Sequence, residues 1–394
     1  MKRFEIILYA AFVAFSPAGC RNVSQQGGTP LDWSVRIADS EIARHDQLIT
    51  STSTPNKWQY DIAWLAGSIG KLSDETGDEK YFQYMKTYMD YYINPDGTAR
   101  YYDLDEYNLD RIRPAVNLFP LWHKTGDDKY KVTIQNHIQQ LKTHPRTSEG
   151  GFWHKKIYPY QMWLDGLFMA APFMVQYGAE FNEPEWFDEA AYQIKLIYRH
   201  TLCPKTGLLY HAWDESRQQR WSNPETGQSP HFWSRAMGWY MMAIVDVLDF
   251  LPENHPDRQP VVDILNRVSE ALLKVRDPES HLWYQVTDAG DREGNYLEAS
   301  GSGMFAYVFA KGATKGYLPS IYLDEAKKTH EGIVSRLIST SDNGLINLEQ
   351  TCGGAGLGGN PYRDGSYEYY INEQIRQNDT KGVSAFIMTG IYLK

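Results

Sequence analysis

Cysteine, basic runs and long apolar runs are scarce in this sequence, and each scarcity argues against a class of protein. The 394 residues contain three cysteines, too few for a disulfide framework or a cysteine-rich zinc site. The net charge is −10 without any long basic run, which argues against a nucleic-acid partner. The apolar stretch from Ile6 to Phe15 is too short to span a bilayer.

Motifs for nucleotides and metals are also missing. The glycine-rich segment "SGSGMFAY" at 300–307 follows no predicted strand. The segment "TCGGAGLGG" at 351–359 lacks the lysine of a phosphate-binding loop. No H-E-x-x-H motif occurs, and the histidines show no convincing metal-ligand spacing. We therefore predict neither a cofactor nor a metal site.

Aromatic residues, by contrast, are abundant. The chain has 12 Trp and 28 Tyr and is 14% aromatic. One interpretation is a heavily packed core. The other is a cleft in which rings with polar edges stack on flat ligands such as sugars.

The first residues form a separate segment. Lys2 and Arg3 precede the short apolar stretch, and small residues lead to Cys20, an arrangement typical of an export signal. Cys20 after Ala18 and Gly19 resembles a bacterial lipoprotein processing site, and ordinary signal cleavage nearby is the alternative. We expect residues 1–20 to be a signal peptide of the lipoprotein type and 21–31 a flexible tether. The protein would then be exported to the periplasm or cell surface and anchored to the membrane by lipid.

Beyond the tether, the apolar spacing of residues 32–394 is mostly helical and predicts an all-α protein. "TGDEKY" at 76–81 recurs as "TGDDKY" at 125–130, a period of 125 − 76 = 49 residues. In each copy Gly ends one helix and Asp caps the next. The predicted helices cover about 32–49, 58–76, 78–93, 111–125, 127–142, 160–178, 184–200, 230–251, 257–276, 298–316, 321–338 and 382–393.

Twelve helices with a repeating joint make six hairpins, the number that closes an (α/α)6 barrel. No break in composition occurs, so we predict one catalytic domain over 32–394. The segments 160–178 and 230–251 are the more apolar partners and would form the inner ring. Three long connections, 93–110, 202–230 and 351–370, should meet at one mouth of the barrel.

Two carboxylates stand out as candidate catalytic groups. Asp165 lies within an apolar run, where we expect it about two turns into a buried helix begun by Pro159. Asp110 precedes a predicted helix, either as a plain N-cap or as a second carboxylate facing Asp165. His154 lies eleven residues before Asp165 on the loop leading into the same helix.

A further polar group lies in the helix predicted from 230. Ser229 would be its N-cap and Pro230 its first residue. Arg235 in this otherwise apolar helix is costly unless it meets an anion. That anion is either an internal carboxylate or a carboxylate of the ligand.

Four segments together resemble a known enzyme family. They are "YPYQMWLDGLFMAAPF", "HFWSRAMGWYMMAIVDVLDFLP", "EASGSGMFAY" and "TCGGAGLGG". They resemble the unsaturated rhamnogalacturonyl hydrolases of glycoside hydrolase family 105, and the unsaturated glucuronyl hydrolases of family 88 are a close second. The resemblance runs from about residue 35 to the end. It implies an (α/α)6 barrel whose mouth binds an oligosaccharide ending in a 4,5-unsaturated uronic acid.

The resemblance also implies roles for individual residues. In this family an aspartate protonates C4 of the vinyl ether and water adds at C5, so the carboxylate-separation rule of ordinary glycosidases does not apply. Asp165 matches the proton donor and Asp110 its partner carboxylate. Such a donor has to be protonated near neutral pH, and burial favours the neutral form of a carboxyl group. The candidate substrate-binding residues are His154, His211, Trp163, Trp233, Arg235 and Trp239.

Two other functions remain open at this stage. An inverting glycosidase would use Asp110 and Asp165 as acid and base on saturated oligosaccharides. A non-catalytic surface lipoprotein would use its aromatic residues only to bind glycans.

Overall fold

The computed structural model describes residues 27–48 and 57–394. Cys20, the predicted signal peptide and residues 21–26 of the predicted tether lie outside this range. The described α-helices are α1 (Pro30–Arg44), α2 (Tyr60–Thr76), α3 (Glu79–Tyr92), α4 (Leu118–Thr125), α5 (Asp128–Thr143), α6 (Leu164–Phe181), α7 (Glu185–Thr201), α8 (Ser234–Leu248), α9 (Arg258–Lys274), α10 (Ala299–Thr314), α11 (Ile321–Leu337), α12 (Tyr367–Ile371) and α13 (Thr380–Leu393).

Short antiparallel strand pairs connect some of these helices. β1 pairs with β2, β3 with β4, and β5 with β6. The strands are β1 (Gln161–Trp163), β2 (Ala212–Asp214), β3 (Ile338–Thr340), β4 (Ile346–Leu348), β5 (Thr351–Cys352) and β6 (Ile375–Arg376).

The helices form two concentric rings. In the inner ring α2 packs against the segment Arg113–Asn117 that leads into α4, and then follow α6, α8, α10 and α13, which returns to α2. In the outer ring α3, α5, α7, α9 and α11 each pack on the inner helix that precedes them, and α1 packs on α13. The predicted (α/α)6 barrel is confirmed, with the apolar helices α6 and α8 in its inner ring.

The repeated joint behaves as the sequence predicts. Gly77 and Gly126 adopt left-handed conformations, with φ of 72° and 69°, at the ends of α2 and α4. The side chains of Asp78 and Asp127 then accept hydrogen bonds from the backbone of Lys80 and Lys129 at the starts of α3 and α5. Each joint thus caps the end of one helix with the backbone N–H of its glycine and the start of the next with the side chain of its aspartate.

Two predicted helix starts are wrong. α6 begins at Leu164 rather than at 160, because Gln161–Trp163 pairs as β1 with β2. Asp165 therefore lies in the first turn of α6, not two turns into a helix. α8 begins at Ser234, and the hydroxyl of Ser229, the predicted cap, instead accepts a hydrogen bond from the backbone of Ala212.

The predicted helix 111–125 is also divided. Residues Leu109–Arg111 and Arg113–Asn117 form 3-10 turns, and the α-helical part is confined to α4. Pro114 lies in the first turn of the second segment, where its missing N–H is tolerated.

The long connections meet at one mouth of the barrel, as predicted. The backbone N–H of Leu109 in the connection 93–110 donates to the carbonyl of His154, and β1, shortly after His154, pairs with β2 in the connection 202–230. The backbone of Trp221 donates to the hydroxyl of Tyr362, so the connections 202–230 and 351–370 touch. The N-terminal ends of the inner helices α6 and α8 lie beside these loops.

Over the residues that the structure describes, no helix is both long enough and apolar enough to cross a membrane.

Candidate active site

Asp165 lies at the mouth, in the first turn of α6, and the glycine after it determines how closely the neighbouring segments approach. A Cβ atom on Gly166 would lie 3.1 Å from both the His154 Nδ1 and a methyl carbon of Leu109. The missing side chain therefore lets the segments carrying His154 and Asp110 pack directly on the helix that carries Asp165.

Asp110 is held by two cationic or potentially cationic side chains. Its Oδ2 lies 2.5 Å from Lys155 Nζ, and its Oδ1 lies 3.6 Å from His154 Nε2. Burial by itself would raise the pKa of Asp110, but the charge of Lys155 and its hydrogen bond to the carboxylate outweigh burial and lower this pKa below its usual value. Asn108, not Asp110, caps the local turn, since its side chain accepts from the backbone of Asp110. Asp110 is therefore an ionised carboxylate rather than a plain N-cap.

His154 is neutral and fixed by stacking. Burial, as the largest cause, lowers its pKa to about 4, although Asp110 and Asp165 both oppose this shift. Its ring stacks on Trp163 at 4.7 Å, and Tyr158 stacks on Trp163 at 4.9 Å. Both faces of Trp163 are covered in this way. Trp163 thus positions His154, and its assignment to substrate binding stays a prediction.

Asp165 faces a second histidine. Its Oδ2 lies 3.1 Å from His211 Nε2, within ion-pair distance but outside hydrogen-bond geometry. His211 Nδ1 lies 2.8 Å from the hydroxyl of Tyr370. His211 is fully buried, whereas 13% of the Asp165 side chain is accessible. Tyr370 and His211 thus form a buried chain that ends at the accessible carboxyl group of Asp165.

Arg235 is buried at the start of α8 without an ion-pair partner among the described residues. Its Nη1 donates to Ser300 Oγ at 3.3 Å and to the carbonyl of Cys352, and its Nε has no partner. The guanidinium lies 4.7 Å from the centre of the Trp233 ring. Burial acts to lower the pKa of Arg235, but surrounding negative groups, Glu298 among them, raise it above its usual value. The internal ion pair, one of the two alternatives for Arg235, is therefore absent among the described residues.

Glu298 orders the segments around Arg235. Its carboxylate accepts from Ser300 Oγ, from the backbone of Gly301 at 2.6 Å and from the backbone of Cys352 at 3.0 Å. One buried carboxylate thus caps α10 and fixes the loop whose carbonyl binds Arg235.

Tyr60 lies near these charged groups and is half-buried. Desolvation, followed by the charges of Asp61, Asp110 and Asp165, raises the pKa of its phenol well above the usual value. The positive charge of Arg235 acts to lower the pKa of Tyr60. Asp110, Asp165 and Arg235, predicted from separate motifs, thus all lie close enough to Tyr60 to influence its pKa.

The two remaining predicted tryptophans are buried. Trp233 is 1% exposed, and its Nε1 donates to Gln285 Oε1 at 2.9 Å. Trp239 is also 1% exposed and packs against Trp64 and Phe168, with ring centroids at 4.9 and 5.0 Å. Trp239 thus belongs to the floor beneath Tyr60, which it meets edge-on at 5.9 Å.

Sequence reasoning missed three residues of this site: Tyr60, Lys155 and Tyr370. Lys155 directly follows His154 in "WHKK", so proximity in the chain was an available signal. Tyr60 and Tyr370 come from opposite ends of the chain, and only the closed ring brings them near Asp165.

None of the described residues form a cluster of three or more His, Cys, Asp or Glu side chains placed to hold a metal ion.

Comparison with known proteins identifies the family. The model of Glycosyl Hydrolase Family 88 matches residues 33–393. The chain belongs to this family. A family 105 glycoside hydrolase from C. acetobutylicum is 45% identical in sequence, and its structure superposes with a TM-score of 0.88 over 92% of this chain and 99% of that chain. This protein is therefore a glycoside hydrolase, and the family resemblance inferred from its motifs is confirmed.

Two more distant relatives complete the comparison. The unsaturated rhamnogalacturonyl hydrolase YesR of Bacillus subtilis is 28% identical over 257 residues, which are 62% of this hydrolase and 70% of that protein. A possible family 105 member from Salmonella enterica is 26% identical, with a TM-score of 0.71 over 85% of this chain and 83% of that chain. Enzyme relatives of this kind argue against a purely glycan-binding role for the hydrolase.

Proposed function

We propose that this hydrolase removes a terminal 4,5-unsaturated uronic acid from oligosaccharides that polysaccharide lyases leave behind. The observation that carries the proposal is the contrast between its two carboxylates. Asp110 has the ammonium group of Lys155 at 2.5 Å, whereas the ion-pair partner of Asp165 is His211, a group charged only when protonated. Two carboxyl groups in such different surroundings suit different roles in acid–base catalysis.

Asp165 is the proposed acid. It transfers its proton to C4 of the sugar, and the electron pair of the C4–C5 double bond forms the new C–H bond. The positive charge left at C5 is shared with the ring oxygen. Water then adds at C5 and loses a proton to the Asp165 carboxylate, which gives a hemiketal and restores the acid form of Asp165. Ring opening leaves a hemiacetal at C1, whose collapse releases the rest of the oligosaccharide.

Asp110 and the histidines support this step. An ionised carboxylate stabilises the positive charge that develops at C5 and orients the water. Neutral His154 beside it accepts or donates a hydrogen bond without adding a competing positive charge. His211, held by Tyr370, orients the carboxyl group of Asp165 toward the mouth.

Arg235 is the proposed partner of the uronate carboxylate. The planar fork of a guanidinium matches a carboxylate with two parallel hydrogen bonds. Its unpartnered Nε and the absence of an ion pair among the described residues leave this capacity unused by the protein. A carboxylate bound here would place C5, to which it is attached, close to the two aspartates.

The rhamnogalacturonan class is the substrate we favour. This finer assignment is supported by the name of the Bacillus subtilis relative, an unsaturated rhamnogalacturonyl hydrolase. Unsaturated galacturonyl-rhamnose disaccharides are therefore the first substrates to test.

The decisive experiment follows the proton. Reaction of an unsaturated disaccharide in heavy water should place deuterium at C4 of the released sugar. Asp165→Asn should lower turnover by about 10²–10⁴-fold while binding is retained, because the amide has no transferable proton. Asp188→Asn, which changes a largely exposed aspartate on α7, is the matched control and should leave turnover unchanged.

Two outcomes would overturn the proposal. Cleavage without deuterium at C4 would exclude protonation at that carbon. Hydrolysis of the saturated disaccharide at the same rate as the unsaturated one would instead support an ordinary inverting glycosidase.

A further inference from the structure

A cavity of about 490 Å³ lies inside the barrel, and none of the predicted site residues line it. We call it the distal cavity, and its polar lining includes Ser68, Lys71, Arg113, Asn117, Gln176 and Asp246. Pockets of roughly 300–1,000 Å³ are the usual size for small-molecule sites.

The distal cavity lies at the end of the barrel away from the mouth. On α6 its lining reaches Gln176, eleven residues beyond Asp165, and on α8 it reaches Asp246, eleven residues beyond Arg235. Eleven residues of helix span ~16 Å. The cavity is therefore not an extension of the catalytic mouth.

An aromatic partition separates the two ends of the barrel. It consists of Trp64, Phe168 and Trp239, whose ring centroids lie 4.9 to 5.5 Å apart. Tyr60 contacts Trp239 from the catalytic side. On the other side the guanidinium of Arg113 lies 3.9 Å from the centre of the Phe168 ring.

Arg113 is the feature that points to a ligand. It is 8% exposed, yet the described residues supply no hydrogen bond or ion pair to its guanidinium, and its Nη1 is buried without a partner. Burial lowers its pKa to about 10, while Asp246 acts in the opposite direction. A buried guanidinium with unused donors is costly for a folded protein unless a ligand supplies acceptors.

Other unused polar groups border the same space. Lys71 lines the cavity, is exposed to solvent and makes no ion pair within the described part of the chain. The hydroxyl of Ser68 is buried without a partner. Donors and acceptors of this kind, beside aromatic walls, match the hydroxyl groups and flat faces of a sugar.

The carboxylates of the cavity are already engaged. Lys311 Nζ lies 2.6 Å from Asp246 and 2.7 Å from Asp249, and the Tyr307 hydroxyl also donates to Asp246. The remaining acidic residue of the lining, Asp74, is exposed. The unpaired cations Arg113 and Lys71 are thus left to bind an anion at close range.

We propose that the distal cavity is a second ligand site that takes a small acidic sugar, a monosaccharide carrying a carboxylate. The carboxylate binds between Arg113 and Lys71, and the sugar hydroxyls reach polar groups such as Gln176. This site does not depend on the proposed function, because its test measures binding rather than turnover.

The test is calorimetric titration of the full-length protein with galacturonate, galactose and inorganic phosphate. Galacturonate should bind at least about tenfold more tightly than galactose. Arg113→Met and Lys71→Met should each weaken this binding by about tenfold or more. Lys274→Met, which changes an exposed lysine on α9, is the matched control and should leave the affinity for galacturonate unchanged.

Variants of the mouth locate the binding event. If galacturonate binds in the distal cavity, Asp165→Asn and Arg235→Lys leave its affinity unchanged. Loss of binding in these variants instead would place the sugar at the catalytic mouth and overturn the proposal.

Two further results would also overturn it. Equal affinity for galactose and galacturonate would exclude recognition of the carboxylate. Phosphate binding as tight as galacturonate binding, with the same dependence on Lys71, would indicate a general anion site. Lys71→Met keeps the test valid if Arg113→Met fails to fold, because Lys71 is solvent-accessible and makes no ion pair among the described residues.

Discussion

The Nε2 of His211 lies 3.1 Å from Asp165 Oδ2, while its Nδ1 lies 2.8 Å from the hydroxyl of Tyr370. Because the Tyr370 hydroxyl can donate to Nδ1, the proton of a neutral imidazole is directed to Nε2, facing Asp165. The surroundings of the proposed acid therefore depend, through His211, on a tyrosine that lies 205 residues further along the chain (370 − 165).

Tyr370→Phe tests this dependence. We expect kcat to fall by about tenfold, the equivalent of one lost hydrogen bond, with little change in KM. The measurement is the decrease in ultraviolet absorbance as the double bond is consumed, recorded across pH. Tyr369→Phe is the control, because that hydroxyl accepts from the backbone of Gly356 instead. An unchanged kcat and pH profile for Tyr370→Phe would exclude the positioning role.

Lys155→Met should shift the pH dependence of the reaction. Lys155 is the main charge that holds the pKa of Asp110 below its usual value. Without it the pKa rises, so Asp110 gains a proton at higher pH and the acidic limb of kcat/KM should move upward. Lys156→Met, the neighbouring lysine, provides the control. An acidic limb that stays in place would show that catalysis does not need the ionised form of Asp110.

Arg235→Lys should weaken recognition of the uronate. The ammonium keeps the charge but loses the planar fork, so we expect kcat/KM to fall by about tenfold or more. The methyl ester of the same substrate provides an internal comparison, because it lacks the carboxylate charge. The wild-type enzyme should favour the free acid strongly, and the variant should favour it less. Equal discrimination by both proteins would mean that Arg235 does not contact the carboxylate.

Folding stability should fall as the pH drops from 6.5 toward about 4. Burial lowers the pKa of His330 to about 4, so the unfolded chain binds a proton in this range that the folded protein does not. His330→Phe, which can keep the stacking on Phe386, should reduce the fall in Tm. His123→Phe changes an exposed histidine and should leave the fall in Tm as large as in the wild type. A pH dependence of Tm identical in His330→Phe and the wild type would contradict this.

We propose that Cys20, which precedes the described residues, carries the lipid anchor predicted from the sequence. Cys20→Ala should release the protein from the membrane fraction, because the acyl chains supply the affinity. Fractionation followed by immunoblotting measures the distribution, with Cys203→Ala as the control for loss of a thiol. Retention of Cys20→Ala in the membrane in the wild-type proportion would favour ordinary signal cleavage.

The sequence predicted most of the barrel because its signals are local. The Gly77–Asp78 and Gly126–Asp127 joints are encoded within two residues, and apolar spacing identifies helices without reference to partners. The starts of α6 and α8 were wrong for the opposite reason. Gln161–Trp163 continues the apolar pattern of the helix that follows, and only its pairing with β2 makes it a strand.

The site residues that lie in local sequence motifs could be predicted. The residues that only the closed barrel brings together could not. Asp110 and Asp165 were identified from their own neighbourhoods and from family resemblance. Tyr60 and Tyr370 carry no local signal, because their importance arises from contacts across the barrel. The burial of Trp163 between two rings could not be predicted from the sequence either, because it depends on how residues 154–163 fold back.

The packing of α1 on α13 has a consequence for the order of folding. Ser34 Oγ donates to the carbonyl of Ile387 at 3.0 Å. A Cβ atom on Gly390 would lie 2.0 Å from this Ser34 Oγ. The last inner helix therefore seals the ring against the first outer one. During synthesis the barrel cannot close until α13 has emerged, so the growing chain exposes an open apolar edge until then.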